Sequence, residues 1–121
     1  MKLNYEREFA STVLPGLQFR IRRISFAERL RFLSENHDMM QRLKFLHAGP
    51  GELPEAARLE IDLSRRLLIT CLAAIGESSP PSSAGPEEIE WLLTVAPTEL
   101  CVEVLARVAD EITLTEARRK N

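Results

Sequence analysis

The sequence predicts an α+β fold, mainly helical, with one small β-hairpin near its N-terminal end. Three observations carry this. Leu17, Phe19 and Ile21 alternate with Gln18, Arg20 and Arg22, the two-residue period of a half-buried strand. Ser25 and Glu28 then form an S-x-x-E capping box, the start signal of a helix. From Phe26 onward apolar residues recur at three-to-four spacing, and Pro and Gly clusters divide the chain into four to five helices.

Taken in order, residues 1–8 are polar, and Phe9 to Leu14 suit a first strand. Pro15-Gly16 follows. Pro sets φ for the first central position of a type II turn and Gly supplies the positive φ of the second. If that turn is tight, Leu14 faces Leu17 and Thr12 faces Phe19, completing a hairpin over residues 9–24. Type II is not the favoured two-residue hairpin turn, so a longer loop is the alternative. The first helix is expected from Phe26 to His47, with Phe26, Leu30, Leu33, His37, Met40, Leu43 and Leu46 as its core stripe and a weak point at Asn36-His37-Asp38. Phe19, Ile21, Ile24 and Phe26 would seat the hairpin on it. Ala48-Gly49-Pro50-Gly51 stops it.

The second helix is expected to begin near Pro54 or Glu55 and run to Ile75, with Gly76 closing it. Its second half, from Leu67, is apolar nearly all round, which places it at the centre of the core or on an oligomer face. Residues 77–85 read as a linker by composition. Pro86 opens a short third helix containing Trp91. Pro97 restarts the chain as a fourth, with Cys101, Val104, Leu105, Val108 and Ile112 opposite Glu99, Glu103, Arg107 and Asp110. Thr113 to Glu116 forms another capping box, and a last short helix leads to the basic end. One domain over residues 1–121 is expected: 9–24 a β-hairpin, 26–121 a helical part with its linker at 77–85.

Composition excludes several function classes. The net charge of -2 argues against a dedicated nucleic-acid binder. The charge is uneven, however: residues 1–47 carry nine Lys/Arg against five Asp/Glu, and residues 48–121 carry seven against thirteen. An unevenly charged helical surface is the simplest reading, and the asymmetry also suits an oriented self-association. Met1 leads into Lys2-Leu3-Asn4-Tyr5-Glu6 with no hydrophobic signal region. Leu67–Ile75 falls far short of the roughly 20 apolar residues a membrane span needs. A cytoplasmic protein with no membrane association is expected.

Chemistry-bearing residues are few. His37 and His47 lack a Cys, Asp or His at metal-pair spacing. Cys71 and Cys101 lie among apolar residues, which favours buried free thiols over a nucleophile or a disulfide. Glu87-Glu88 lies in the first turn of a helix, where carboxylates complement the dipole, and Glu60-Asp62 falls on the amphipathic first half of the second helix. Gly49-Pro50-Gly51 has neither the strand nor the Lys-Ser/Thr of a phosphate loop. No catalytic residue, cofactor or metal is expected, and no enzyme. Arg20, Arg22 and Arg23 are candidate partner-binding residues on the hairpin. Leu68, Leu72 and Trp91 are candidates among the apolar helices, Trp91 as an interface anchor.

The run Phe19-Arg20-Ile21-Arg22-Arg23-Ile24-Ser25-Phe26-Ala27-Glu28-Arg29 and the terminal Leu114-Thr115-Glu116-Ala117-Arg118-Arg119-Lys120-Asn121 resemble the tail assembly chaperones of long-tailed bacteriophages and prophages. Members often enter their first helix through F-x-V-R-R-x-S-F-x-[DE]-R and end in L-[ST]-E-x-x-x-K-N. The resemblance covers both ends of the chain and is loose between them. It implies a small, mostly helical, non-enzymatic protein of the host cytoplasm that binds the tape-measure protein, or another helical client, while the tail tube polymerises. A homo-oligomer with an apolar client groove is the corresponding expectation. The alternative from a different class is a small helical adaptor, or an antitoxin-like regulator using the Arg-rich hairpin on DNA, whose binding would be salt-dependent.

Overall fold

The computed structural model describes residues 6–48 and 53–113. Among them the α+β class holds: five helices accompany a three-stranded antiparallel sheet. The elements in chain order are β1 (Glu6–Ala10), β2 (Gln18–Arg22), α1 (Phe26–Glu35), α2 (His37–Ala48), α3 (Leu53–Cys71), β3 (Leu72–Gly76), α4 (Pro86–Thr94) and α5 (Thr98–Ile112). The helix stop expected at 49–51, and the last capping box and terminal helix, lie outside the described residues.

The hairpin forms with its first strand earlier than expected. Phe9 pairs with Phe19 and Ala10 with Gln18, not Thr12 with Phe19. Residues 11–17 make the longer loop, closed by the Ser11 N–H on the Leu17 carbonyl at 2.9 Å. Inside it the Leu17 N–H reaches the Leu14 carbonyl at 3.1 Å across Pro15-Gly16, with Gly16 at φ 91° as the sequence requires. Ser11 and Thr12 leave the strand because their side chains have better partners. The Ser11 hydroxyl oxygen accepts from the Val13 and Leu14 N–H groups, each at 3.0 Å. Its O–H, and both the N–H and the hydroxyl of Thr12, donate to Glu103 on α5 at 2.6–2.8 Å.

Sheet order is β1-β2-β3, so β2 is central. Its inner face buries Phe19 and Ile21. The third strand is the main departure from the sequence reading. Leu72–Gly76, expected as helix, pairs antiparallel with β2 through Phe19↔Ile75 and Arg20↔Ala74. A continuous apolar run reads equally as buried helix or buried strand. Here β2's second row of backbone groups decides, because a buried strand must have both rows paired. The α3-to-β3 junction is fixed by the Arg22 guanidinium, which donates to the Thr70 carbonyl at 2.9 Å. Residues 77–85 are likewise more than a linker. The Ile75 N–H donates to the Ser82 carbonyl, the Ala84 N–H to the Ala73 carbonyl, and Ala74 bridges Ser83, so 82–84 cover the outer edge of β3.

The first expected helix is two. Ser25 caps α1 through the reciprocal box: the Glu28 N–H donates to the Ser25 hydroxyl oxygen at 3.1 Å and the Ser25 N–H to Glu28 at 3.4 Å. At the weak point, buried Asn36 ends α1 by donating its side-chain amide to the Phe32 carbonyl at 2.8 Å. Its other amide atom, the oxygen, accepts from Arg66 of α3 at 2.6 Å. The buried residue of α1 is Phe32, followed by buried Asn36 at its C-terminal cap, whereas Phe26 is 64% and Leu30 49% exposed. Phe26 therefore does not seat the hairpin; Phe19, Ile21 and Ile24 set it in the main core, where β2 packs chiefly on α3 and α5 rather than on α1. His37 is also exposed, at the first position of α2.

The main core joins β2, β3, Phe32 of α1, the C-terminal end of α3, α4 and α5, around Phe19, Leu68, Leu92, Leu100 and Val104. A second, small cluster of Leu43, Leu46 and Ala56 holds α2 on α3. Glu103, Arg107 and Glu111, spaced one helical turn apart on α5, grip β1 and its loop. Glu103 holds Ser11 and Thr12, the Arg107 guanidinium lies 4.7 Å from the centre of the Phe9 ring, and Glu111 faces Arg7 at 3.9 Å. Burial pushes the Glu103 carboxyl upward, but the hydrogen bonds from Ser11 and Thr12, helped by the Arg107 charge, outweigh it, and its pKa is lowered from 4.5. A carboxyl depressed in the folded state stabilises above its unfolded pKa, and that contribution vanishes as pH falls through the folded value. Glu103→Gln should therefore lower the melting temperature at about pH 7, with the gap to the unmodified protein closing toward about pH 3 in thermal scans.

Candidate functional site

The residues suggested by the sequence do not converge. Arg20 and Arg22 share the outer face of the sheet, and both are engaged within the chain. Arg20 lies 3.5 Å from Glu8 and 3.8 Å from Glu6 across the β1–β2 pair, and Arg22 holds Thr70. Arg23 is exposed beyond the strand end. Leu68 and Leu72 are 0% and 2% exposed, so they are core and offer no surface to a partner. The reason is β3: once Leu72 enters the sheet, it and Leu68 are enclosed by α4, α5 and β2, and Ile69 alone of the large residues in the run stays exposed. Trp91 is half-buried and lines a recess with Leu17, Ile75, Glu87 and Glu88, away from the arginines.

A different feature stands out, a trough between α2, α3 and α5. Its floor is α3, through Leu63 and Leu67. Leu43 of α2 forms one wall, and Val102, Leu105, Ala106 and Ala109 of α5 form the other. Glu60 and Ser64 supply its polar groups, and the trough encloses about 360 Å³. The i, i+3, i+4 spacing of Glu60, Leu63, Ser64 and Leu67 puts them on one stripe of α3. The Asn36 break turns the chain so that α2 lies along α3 instead of extending α1. Arg42 then clamps Glu55 in a two-bond fork at 2.8 and 3.0 Å, and His47 of α2 meets Glu60 at 3.3 Å. Hydrogen bonding from Arg42 holds the Glu55 carboxyl below its usual range against the opposing effect of burial. Val102, 59% exposed, stands on the open wall.

A second apolar recess lies between α3 and α4, lined by Ile69, Ala84, Pro86 and Ile89. The Arg65 guanidinium crosses beside it to Glu90 in a two-bond fork of 2.6 and 3.1 Å, which raises the arginine pKa and lowers that of the carboxyl. In the sequence, Val102 signalled its surface by falling off the core stripe of its helix, whereas Ile69, within a run apolar nearly all round, gave no such sign. Leucines that do lie on the stripe gave no sign that a wall was missing.

Burial, reinforced by the negative charge of Glu111, pushes the Cys71 thiol up to about 11, and burial also raises that of Cys101. Neither thiol is bridged. Among the described residues no three His, Cys, Asp or Glu side chains are placed to hold a metal ion, and no helix is long and apolar enough to cross a membrane. What the trough can do is accept an apolar helical stripe, the helix-in-groove mode of recognition. Comparison with known protein families, curated proteins and solved structures returns no match.

Two outcomes test these assignments. Leu68→Ala should cost about 3 kcal/mol in urea unfolding, the penalty of a core cavity, while leaving the trough surface unchanged. A thiol reagent near pH 8 should label Cys101 slowly and Cys71 only under unfolding conditions, read by mass spectrometry of digested protein.

Proposed function

We propose that the chain is a non-enzymatic phage or prophage tail assembly chaperone that holds a helical segment of the tape-measure protein in the trough between α2, α3 and α5. The observation that carries the binding role is the trough itself: an open apolar surface flanked by three helices, with Val102 largely exposed on its wall. An amphipathic helix shields such a surface by laying its own i, i+3, i+4 anchors along it. The particular client rests on the resemblance at Phe19–Arg29 and Leu114–Asn121. A long, apolar, helical client needs its stripes covered until it is packed, and a small protein with an aliphatic trough meets that need without chemistry. The client is made in the host cytoplasm, and the chaperone would act there.

The DNA-binding alternative finds less support. A nucleic-acid surface needs unneutralised cations. On the hairpin, Arg20 is balanced by Glu6 and Glu8 and Arg22 is tied to the α3 terminus, so Arg23 alone of its three arginines stays without an ion pair or hydrogen bond among the described residues, too little charge for such a surface.

Co-expression with the tape-measure protein of the same phage or prophage genome tests the proposal. The chain should raise the soluble yield of that protein. Val102→Arg with Ala106→Arg should abolish the effect while leaving helical circular dichroism intact. Affinity for a soluble client fragment should fall by about tenfold or more, the scale of losing one central apolar anchor. An unchanged soluble yield with the unmodified chain overturns the chaperone reading.

A further inference from the structure

We propose that, in the absence of client, the outer face of α1 of one copy occupies the α2–α3–α5 trough of a second copy, forming a head-to-tail assembly. This rests on the reading of the trough as a helix acceptor. The occupant is argued from α1. Its inward face is committed through Phe32, while Phe26 and Leu30, one helical turn apart, are 64% and 49% exposed. That is the two-anchor pattern a helix offers to a groove.

Charge selects the same pairing. Arg23 and Arg31 flank the exposed pair, both are exposed, and neither makes an ion pair or hydrogen bond with the described residues. The trough carries carboxylates: Glu60 lines it on α3, and exposed Glu99 precedes Val102 by about one turn on α5. Cations beside an apolar pair thus meet carboxylates beside an apolar trough. The same asymmetry runs through the chain, with the excess of Lys/Arg in residues 1–47 and of Asp/Glu in 48–121.

The docking must be between copies. The α1 helix is fixed in its own chain by Phe32 in the core and by Arg29, whose guanidinium donates to the Glu111 carbonyl at 2.9 Å. It cannot turn Phe26 into its own trough without losing both. Because face and trough are different surfaces, copies can add head to tail, and each addition leaves a free face and a free trough until the assembly closes on itself. A client entering the trough displaces the neighbouring copy.

Sedimentation velocity over a range of concentrations tests this. The unmodified chain should grow beyond a monomer as concentration rises, and raising salt to about 1 M, where charges are screened within about 3 Å, should weaken association. Arg23→Glu with Arg31→Glu should weaken it by about tenfold or more, as should Glu60→Arg with Glu99→Arg. Mixing the two charge-reversed variants should restore a complex in which the opposite charges meet again. A monomer at every attainable concentration, or association indifferent to both charge reversals, overturns the inference, as does a mixture that fails to restore it while both variants keep native circular dichroism. The Arg23→Glu, Arg31→Glu variant has an unaltered trough and should still solubilise the tape-measure protein. If it does so while the unmodified chain is monomeric, the self-docking inference alone falls; if the unmodified chain self-associates but fails to solubilise that protein, the chaperone reading alone falls.

Discussion

Most of the architecture depends on one requirement: the five residues of β2 must have hydrogen-bond partners along both sides. Phe19 and Ile21 carry the strand into the core, where unpaired backbone groups cost several kcal/mol. β1 supplies one side. The other side recruits Leu72–Gly76, which ends α3 at Cys71 and sends the chain back across the sheet. Residues 82–84 then close the outer edge of β3, and α4 starts where they leave it. The positions of Leu68, Leu92 and Val104 in one core follow from that return.

Sequence patterning resolved the elements whose signals are local. The Ser25–Glu28 box, the Pro15-Gly16 turn and the proline starts of α4 and α5 all sit at the expected residues, because each depends on groups within four positions along the chain. The weak stretch at Asn36-His37-Asp38 correctly marked a helix break for the same reason. What could not be read was decided by distant partners. Helix and strand are equivalent for Leu72–Ile75 until β2 is beside them. Ser11 and Thr12 look like strand until Glu103, more than ninety residues away, takes their hydrogen bonds.

The candidate site was legible only in part. Apolar content on α3 suggested an excess of sticky surface, but the residues singled out, Leu68 and Leu72, are the ones the sheet encloses. The exposed surface comes from Val102 and Ala106 on α5 and from Phe26 and Leu30 on α1, positions that periodicity assigns to the polar side or to a core stripe. Glu103 and Arg107 show the converse. They were placed on a solvated face, yet they grip the hairpin. A helical wheel sorts residues by polarity, whereas an ion pair or a ring contact with a neighbouring strand makes a polar residue structural.

Asn36 carries a further consequence. By ending α1 and accepting from Arg66, it makes the direction of α2 depend on a polar joint, and beyond that joint α2 is held chiefly by Leu43, Leu46 and Ala56 and the Arg42 fork. The main core has fifteen buried members against three here. Cooperative units with less buried surface open first. Among the described residues, one wall of the trough therefore rests on the small cluster and the opposite wall, α5, on the main core. Of the two sides of the trough, the α2 side therefore gives way before the α5 side when the molecule begins to open.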